Sequence, residues 1–129
     1  MHSWARAAAA LAGLTGAAGT GLAAIGAHLA PGTGVRAAAH LMIINAAAAL
    51  AASALAPSAP GRASWLASAT FVLLSGGWLF CGDITLRALA GFGLFPFAAP
   101  LGGSLLFCGW IVTAVAAVIA LRPPPRKKY

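Results

Sequence analysis

The charged residues of this chain are so few that they leave four long stretches without any charge. These stretches cover residues 7–35, 37–56, 63–82 and 88–121. A helix needs about 20 mostly apolar residues to cross the roughly 30 Å hydrocarbon core of a bilayer. All four stretches reach that length, and a chain of 129 residues then has little left for a domain outside the membrane. We therefore predict an integral membrane protein.

The composition excludes several classes of soluble protein. Only 7% of the residues are charged and 61% are hydrophobic, whereas a soluble domain has about 25% charged and about 45–50% apolar residues. So few charges cannot cover the surface of a soluble globule with polar groups. A soluble enzyme, a disordered tail and a secreted disulfide scaffold are therefore excluded.

Turn-forming residues set the ends of the predicted helices. Breakers end the first stretch at Pro31-Gly32 and follow the second at Pro57 to Gly61, and a loop around Pro96 precedes the last helix. The predicted spans are about 7–29, 37–56, 63–88 and 101–121, and residues 122–129 form a basic cytoplasmic tail. None of the stretches shows the alternating pattern of a membrane β-strand. We predict an all-α integral membrane protein, a four-transmembrane-helix bundle in a single membrane domain.

The distribution of cations predicts the orientation of this bundle. The side that holds both termini has six cations and the opposite side has two. The six are Arg6, Arg62, Arg122, Arg126, Lys127 and Lys128, and the two are Arg36 and Arg87. Because cytoplasmic loops carry the excess of Lys and Arg, we predict that both termini are cytoplasmic. The competing interpretation is a cleaved signal peptide, which the apolar run after Arg6 also resembles.

Three short motifs resemble a known family of small membrane proteins. They are Gly26-Ala27-His28 at the end of the first span, Phe80-Cys81-Gly82-Asp83 in the third, and Pro100-Leu101-Gly102-Gly103 followed by Gly109-Trp110 in the fourth. The family is catalogued as domain of unknown function 423 and is called transmembrane protein 256-like in animals. The last motif is the most specific of the three, and the similarity extends over nearly the whole chain.

The resemblance implies four helices and a bacterial inner-membrane location, and it implies no established biochemical activity. The family has a histidine near the start of its second helix, and either His40 or Asn45 stands at that position here. Asp83 and Arg87 are departures, because they replace small or apolar residues of the family.

The predicted topology brings most of the notable polar residues to the outer half of the bundle. This candidate polar cluster consists of His28, His40, Asn45, Asp83 and Arg87. Asp83 and Arg87 are four residues apart and share a helix face, so they can form an ion pair. Such a pair either lies at the membrane interface, which we favour, or lines a path for a ligand or proton. Asn45 is expected to form hydrogen bonds between helices.

Candidate cofactor ligands are confined to His28 and His40, which could face each other as axial haem or metal ligands. Two histidines at adjacent helix ends are weak evidence for such a site, so we predict no cofactor and no metal. Cys81 and Cys108 either form a disulfide or, as we favour, stay free as small packing residues.

Small residues recur at spacings that let helices approach closely in lipid. The predicted helix-packing residues are Gly13, Ala17, Gly21, Gly76, Gly77, Gly102, Gly103 and Gly109. The competing explanation is a general richness in Ala and Gly.

The sequence favours a non-catalytic protein, either a structural or accessory subunit of a larger inner-membrane complex or a freestanding bundle. The expected partners are anionic lipid headgroups and other membrane subunits. Nucleic acid is not expected, because the cations are scattered rather than clustered beside aromatic residues. The alternative is a small transporter or ion conduit that uses His28, His40, Asp83 and Arg87. A membrane enzyme or haem protein would need more converging polar residues.

Overall fold

A computed structural model describes residues 3–58, 61–123 and 125–126 of the chain. Throughout those residues the regular structure is helical, with no strand, which confirms the predicted fold class. The four helices are α1 Ser3–His28, α2 Val35–Leu55, α3 Ala63–Ala90 and α4 Ala98–Ala120, and a short 3-10 turn, Ala56–Ser58, follows α2. Lys127 and Lys128, at the end of the predicted tail, lie outside the described residues.

All four helices are long and apolar enough to cross a membrane. The shortest, α2, has 21 residues, which at 1.5 Å per residue is about the thickness of the hydrocarbon core. The chain is therefore a small multi-pass membrane protein. Helix α4 starts at Ala98 rather than near 101, because Pro100 fits in the first turn, where its missing N–H would have no helical partner.

The helices form a bundle in which α2 and α3 are the central pair. Helix α1 packs mainly on α2, and α4 packs mainly on α3. One hydrophobic cluster joins all four helices through Ala5, Ala52, Ala56, Leu66, Ala69 and Ala116. This cluster and Arg62 lie at one end of the bundle, which we call the Arg62 end. The opposite end, where α3 finishes, is called the Asp83 end.

Glycines set the closest approach between α3 and α4. A Cβ atom on Gly102 would lie 2.5 Å from the backbone N of Phe80, and one on Gly76 would lie 2.9 Å from the backbone N of Leu106. Real Cβ atoms do not come so close to a backbone, so both positions need glycine. Gly109 is almost as tight against Leu73, whereas Gly77 and Gly103 have ordinary contact distances.

Helix α1 packs on α2 through Gly19 rather than through the stripe at Gly13, Ala17 and Gly21. Gly13, Ala17 and Gly21 are exposed, and a Cβ atom on either glycine would meet nothing within 4 Å. The neighbouring Gly19 instead packs against α2, where a Cβ atom would lie 2.9 Å from Cγ1 of Ile43. The stripe at Gly13, Ala17 and Gly21 therefore has no partner within the described chain.

Candidate functional site

Asp83, near the end of α3, is the only acidic residue of the chain. Its side chain is fully buried. One carboxylate oxygen, Oδ2, accepts a hydrogen bond of 2.7 Å from Nε of Arg87. The other, Oδ1, accepts one of 2.8 Å from the backbone N–H of Leu94. A further backbone N–H, that of Ala99 in the first turn of α4, interacts with the same carboxylate.

The loop between α3 and α4 folds back over this carboxylate. Gly91 ends α3 in the left-handed conformation, with φ of 78°. Gly93 then passes so close that a Cβ atom there would lie 2.5 Å from both Asp83 Oδ1 and Arg87 Nη2. A side chain at position 93 would therefore force Arg87, Asp83 or the loop to shift.

Asp83 also places a negative charge beside the start of α4. The residue before that helix, Phe97, has φ of 69° and provides no side-chain cap. The first N–H groups of a helix need acceptors and form its positive end. Asp83 supplies a negative acceptor there from α3, so its carboxylate is occupied by the chain's own donors.

Arg87 is the exposed residue of the ion pair. Its side chain is 53% exposed, and it lines an open cavity of about 510 Å³ together with Gly93, Leu94, Phe95 and Pro96. The sequence predicted the spacing of the pair but missed these loop residues. These residues line the cavity because the loop folds back over the end of α3. No local sequence pattern predicts that path.

The histidines do not join Asp83. His28 is the last residue of α1 and His40 lies near the start of α2, and both are exposed. Neither forms a hydrogen bond or ion pair in the described parts of the chain. Over the same residues, no group of three or more His, Cys, Asp or Glu side chains is placed to hold a metal ion.

Asn45 lies in the middle of α2, buried against α3. A Cβ atom on Gly77 would lie 3.5 Å from its Nδ2. Both polar atoms of the Asn45 amide lack a hydrogen-bond partner among the described residues, so the expected bond between helices is not formed. A hydrogen bond that the sequence did not predict joins α3 to α1, from Nε1 of Trp78 to Oγ1 of Thr15 at 2.9 Å.

The two cysteines are unpaired and have different surroundings. Cys81 is buried, whereas Cys108 is exposed on α4. Cys81 packs in a cluster with Ala38 and Met42 of α2, as predicted for a small packing residue. The exposed Cys108 does not have that role among the described residues.

The Arg62 end has its own link between α3 and α4. The side chain of Arg62 donates through Nη1 to the backbone oxygens of Ile119 at 2.8 Å and Arg122 at 3.2 Å. These carbonyls lie at and just beyond the end of α4, where a helix has free acceptors and a partial negative charge. The sequence identified Arg62 as an orientation signal and did not reveal this contact.

The comparisons with known proteins found a family match. No curated protein and no solved structure matches the chain. A family model described as "Protein of unknown function (DUF423)" matches residues 22–103. The matched region runs from the second half of α1 into the first turns of α4, and it includes Asp83, Arg87 and the loop that covers them. Because the match covers well over half of the 129 residues, this chain belongs to the DUF423 family.

Proposed function

We propose that this protein is a non-catalytic helical bundle of the bacterial inner membrane that acts as a structural or accessory subunit. The proposal includes both termini on the cytoplasmic side. The six-to-two distribution of cations supports that orientation, and the resemblance to the family supports the location.

The observation that carries this proposal is the environment of Asp83. A proton conduit or an acid–base enzyme needs an ionisable group that can reach its substrate. Asp83 is the only acid of the chain, and its two oxygens accept hydrogen bonds from Arg87 and Leu94. Its surroundings favour a role in holding α3, the loop and α4 together.

Accessory subunits act through their surfaces, and the outer helices offer such surfaces. The face of α1 at Gly13, Ala17 and Gly21 is exposed and made of small residues. Such a face lets another helix approach closely and gain van der Waals contact in lipid. A larger membrane protein packed beside α1 would bury it.

The decisive experiment is purification of the full chain from its native membrane in mild detergent, followed by mass spectrometry. The accessory role predicts partner proteins at a constant ratio to this chain. Replacing Gly13 and Gly21 with leucine should remove those partners, whereas an exposed control such as Leu14→Ile should retain them. A pure monomer in several detergents would contradict the proposal.

The orientation has a separate test. Fusing a fluorescent protein that folds only in the cytoplasm to the C-terminus should give a fluorescent cell, and fusing alkaline phosphatase there should give an inactive enzyme. The reverse pattern would refute the cytoplasmic placement of the C-terminus without bearing on the accessory role.

A further inference from the structure

We propose that the cavity beside Arg87 binds the phosphate group of an anionic phospholipid. Its wall consists of Arg87 and the loop residues Gly93, Leu94, Phe95 and Pro96. This site goes beyond the proposed subunit role, because it names a ligand that the bundle would bind whether or not it has protein partners.

Arg87 is held in one orientation by its ion pair. Its Nε donates to Asp83 at 2.7 Å, and Asp83 is itself fixed by the N–H of Leu94. This arrangement orients the guanidinium while leaving its Nη groups without a hydrogen bond in the described residues. A planar guanidinium with free N–H groups matches the oxygens of a phosphate.

The loop around the cavity exposes large apolar side chains. Phe92, Phe95 and Phe97 are 62%, 45% and 79% exposed, and Leu94 is 48% exposed. Exposed apolar side chains in such number are typical of a surface that contacts lipid rather than water. A cation beside apolar side chains matches a phospholipid, which presents a phosphate above its acyl chains.

The expected depth of Arg87 in the membrane also matches a lipid phosphate. Arg87 stands in the last turn of α3, a helix that is long enough to cross a bilayer. The last turn of such a helix lies near the headgroups, where arginine side chains meet lipid phosphates. A free phosphate would use the same Nη groups but would gain nothing from the apolar wall.

The test uses the full chain in detergent with added lipid and counts the bound lipids by native mass spectrometry. Phosphatidylglycerol should be retained in preference to phosphatidylcholine with the same acyl chains. Arg87→Gln should weaken the binding of phosphatidylglycerol roughly tenfold, because it removes a charge-assisted hydrogen bond. Arg36→Gln is the matched control, since it removes an exposed cation from the same end of the bundle and should change binding by less than about twofold.

Phe95→Ala is a second variant that leaves Asp83 and Arg87 in place. It should weaken binding of phosphatidylglycerol about threefold, because part of the apolar wall is lost. Equal losses from Arg87→Gln and Arg36→Gln would show that only surface charge matters and would overturn the proposal. Displacement of the lipid by millimolar inorganic phosphate, with no effect of Phe95→Ala, would identify a free-anion site and would also overturn it.

Discussion

The two ends of α3 are both tied to α4 by a charged side chain, but the ties differ in burial. At the Arg62 end, a partly exposed guanidinium donates to the last carbonyls of α4. At the Asp83 end, a fully buried carboxylate accepts hydrogen bonds from Arg87 and Leu94 and lies beside the start of α4. Each charge has the sign that the adjacent end of α4 favours.

The difference in burial decides which tie the fold depends on. Water can replace the Arg62 contact at little cost, because the Arg62 side chain is partly exposed. It cannot replace the contacts of Asp83, since a buried polar group without a partner costs far more than an exposed one. Substitutions at the Asp83 end should therefore destabilise the bundle more than substitutions at the Arg62 end.

The largest effect is expected for Asp83→Ala. It leaves the N–H of Leu94 without its acceptor, and it removes the partner of Arg87 and the negative charge beside the first turn of α4. The melting temperature in detergent should fall by an amount on the order of 10 °C. Circular dichroism at rising temperature measures this change.

The control for Asp83→Ala is Ser75→Ala on the same helix. Ser75 is exposed and its hydroxyl bonds only its own helix, at Val72. Its replacement should leave the melting temperature unchanged. Equal melting temperatures for Asp83→Ala and the unmodified protein would refute the structural role of the carboxylate and restore the conduit as an explanation for Asp83.

The next effect concerns the close packing of α4 at the Asp83 end. Gly102→Ala would place a methyl group 2.5 Å from the backbone N of Phe80, whereas at Gly103 the nearest atom is 3.6 Å away. Gly102→Ala should therefore cost about 1–3 kcal/mol of unfolding free energy. Gly103→Ala should change it by less than about 0.5 kcal/mol.

Gly102 and Gly103 are adjacent on one helix, so their two alanine substitutions form a matched pair. Reversible unfolding in mixed micelles gives both free energies under identical conditions. If Gly103→Ala lowered the unfolding free energy as much as Gly102→Ala, the cause would be the loss of glycine from the helix in general. The contact with Phe80 would then not explain the effect.

The sequence predicted the number and the nature of the helices because both depend on local properties. Long uncharged apolar stretches predict membrane spans from their own length and composition, and the spacing of four between Asp83 and Arg87 places them on one helix face. The structure has this pair at 2.7 Å.

The faces that pack could not be predicted, because the helices are apolar all round. Small residues occur on several faces of α1, and the stripe at Gly13, Ala17 and Gly21 looks no different from the one at Gly19. In a soluble helix the polar face identifies the outside, and here no such face exists. The exposure of His40 could not be predicted for the same reason, because no polar face of α2 identifies the direction of its side chain.

The loop contacts of Asp83 could not be predicted for a different reason. Leu94 is eleven residues from Asp83 along the chain, and its approach depends on the left-handed conformations of Gly91 and Phe97. Glycine at 91 is a recognisable end of a helix. A positive φ at phenylalanine has no signal in the sequence, so the return of the chain over Asp83 was not foreseeable.

A smaller effect is expected at the Arg62 end. Arg62→Gln removes the hydrogen bonds to Ile119 and Arg122 and should cost about 1 kcal/mol, localised to the end of α4. Hydrogen exchange should accelerate in the last turn of α4 and stay unchanged at the start of that helix.

The control for Arg62→Gln is Arg6→Gln, which removes an exposed cation from the same end. It should leave exchange in α4 unaffected. Faster hydrogen exchange throughout α4 after Arg62→Gln would mean that the fold depends on the Arg62 end as much as on the Asp83 end. That result would contradict the greater importance of the buried carboxylate.

The smallest effect is expected between the two ends, where Trp78 of α3 donates to Thr15 of α1. Trp78→Phe removes the hydrogen bond and keeps an aromatic ring. Hydrogen bonds between membrane helices contribute about 0.6 kcal/mol on average, because the separated helices also find partners for their polar groups. The Thr15 hydroxyl retains its bond to Leu11 in this variant, so little polar surface is left without a partner.

A double-mutant cycle with Thr15→Val isolates that contribution from the loss of indole packing. The coupling between the two substitutions should be about 0.6 kcal/mol, well below the cost of Gly102→Ala. A coupling above about 2 kcal/mol would mean that α3 is held mainly by its contact with α1 in the middle of the membrane, and less by its contacts with α4. The fold would then depend on the contact between α1 and α3 more than on the buried carboxylate, because the largest coupling identifies the contact that the other helices cannot replace.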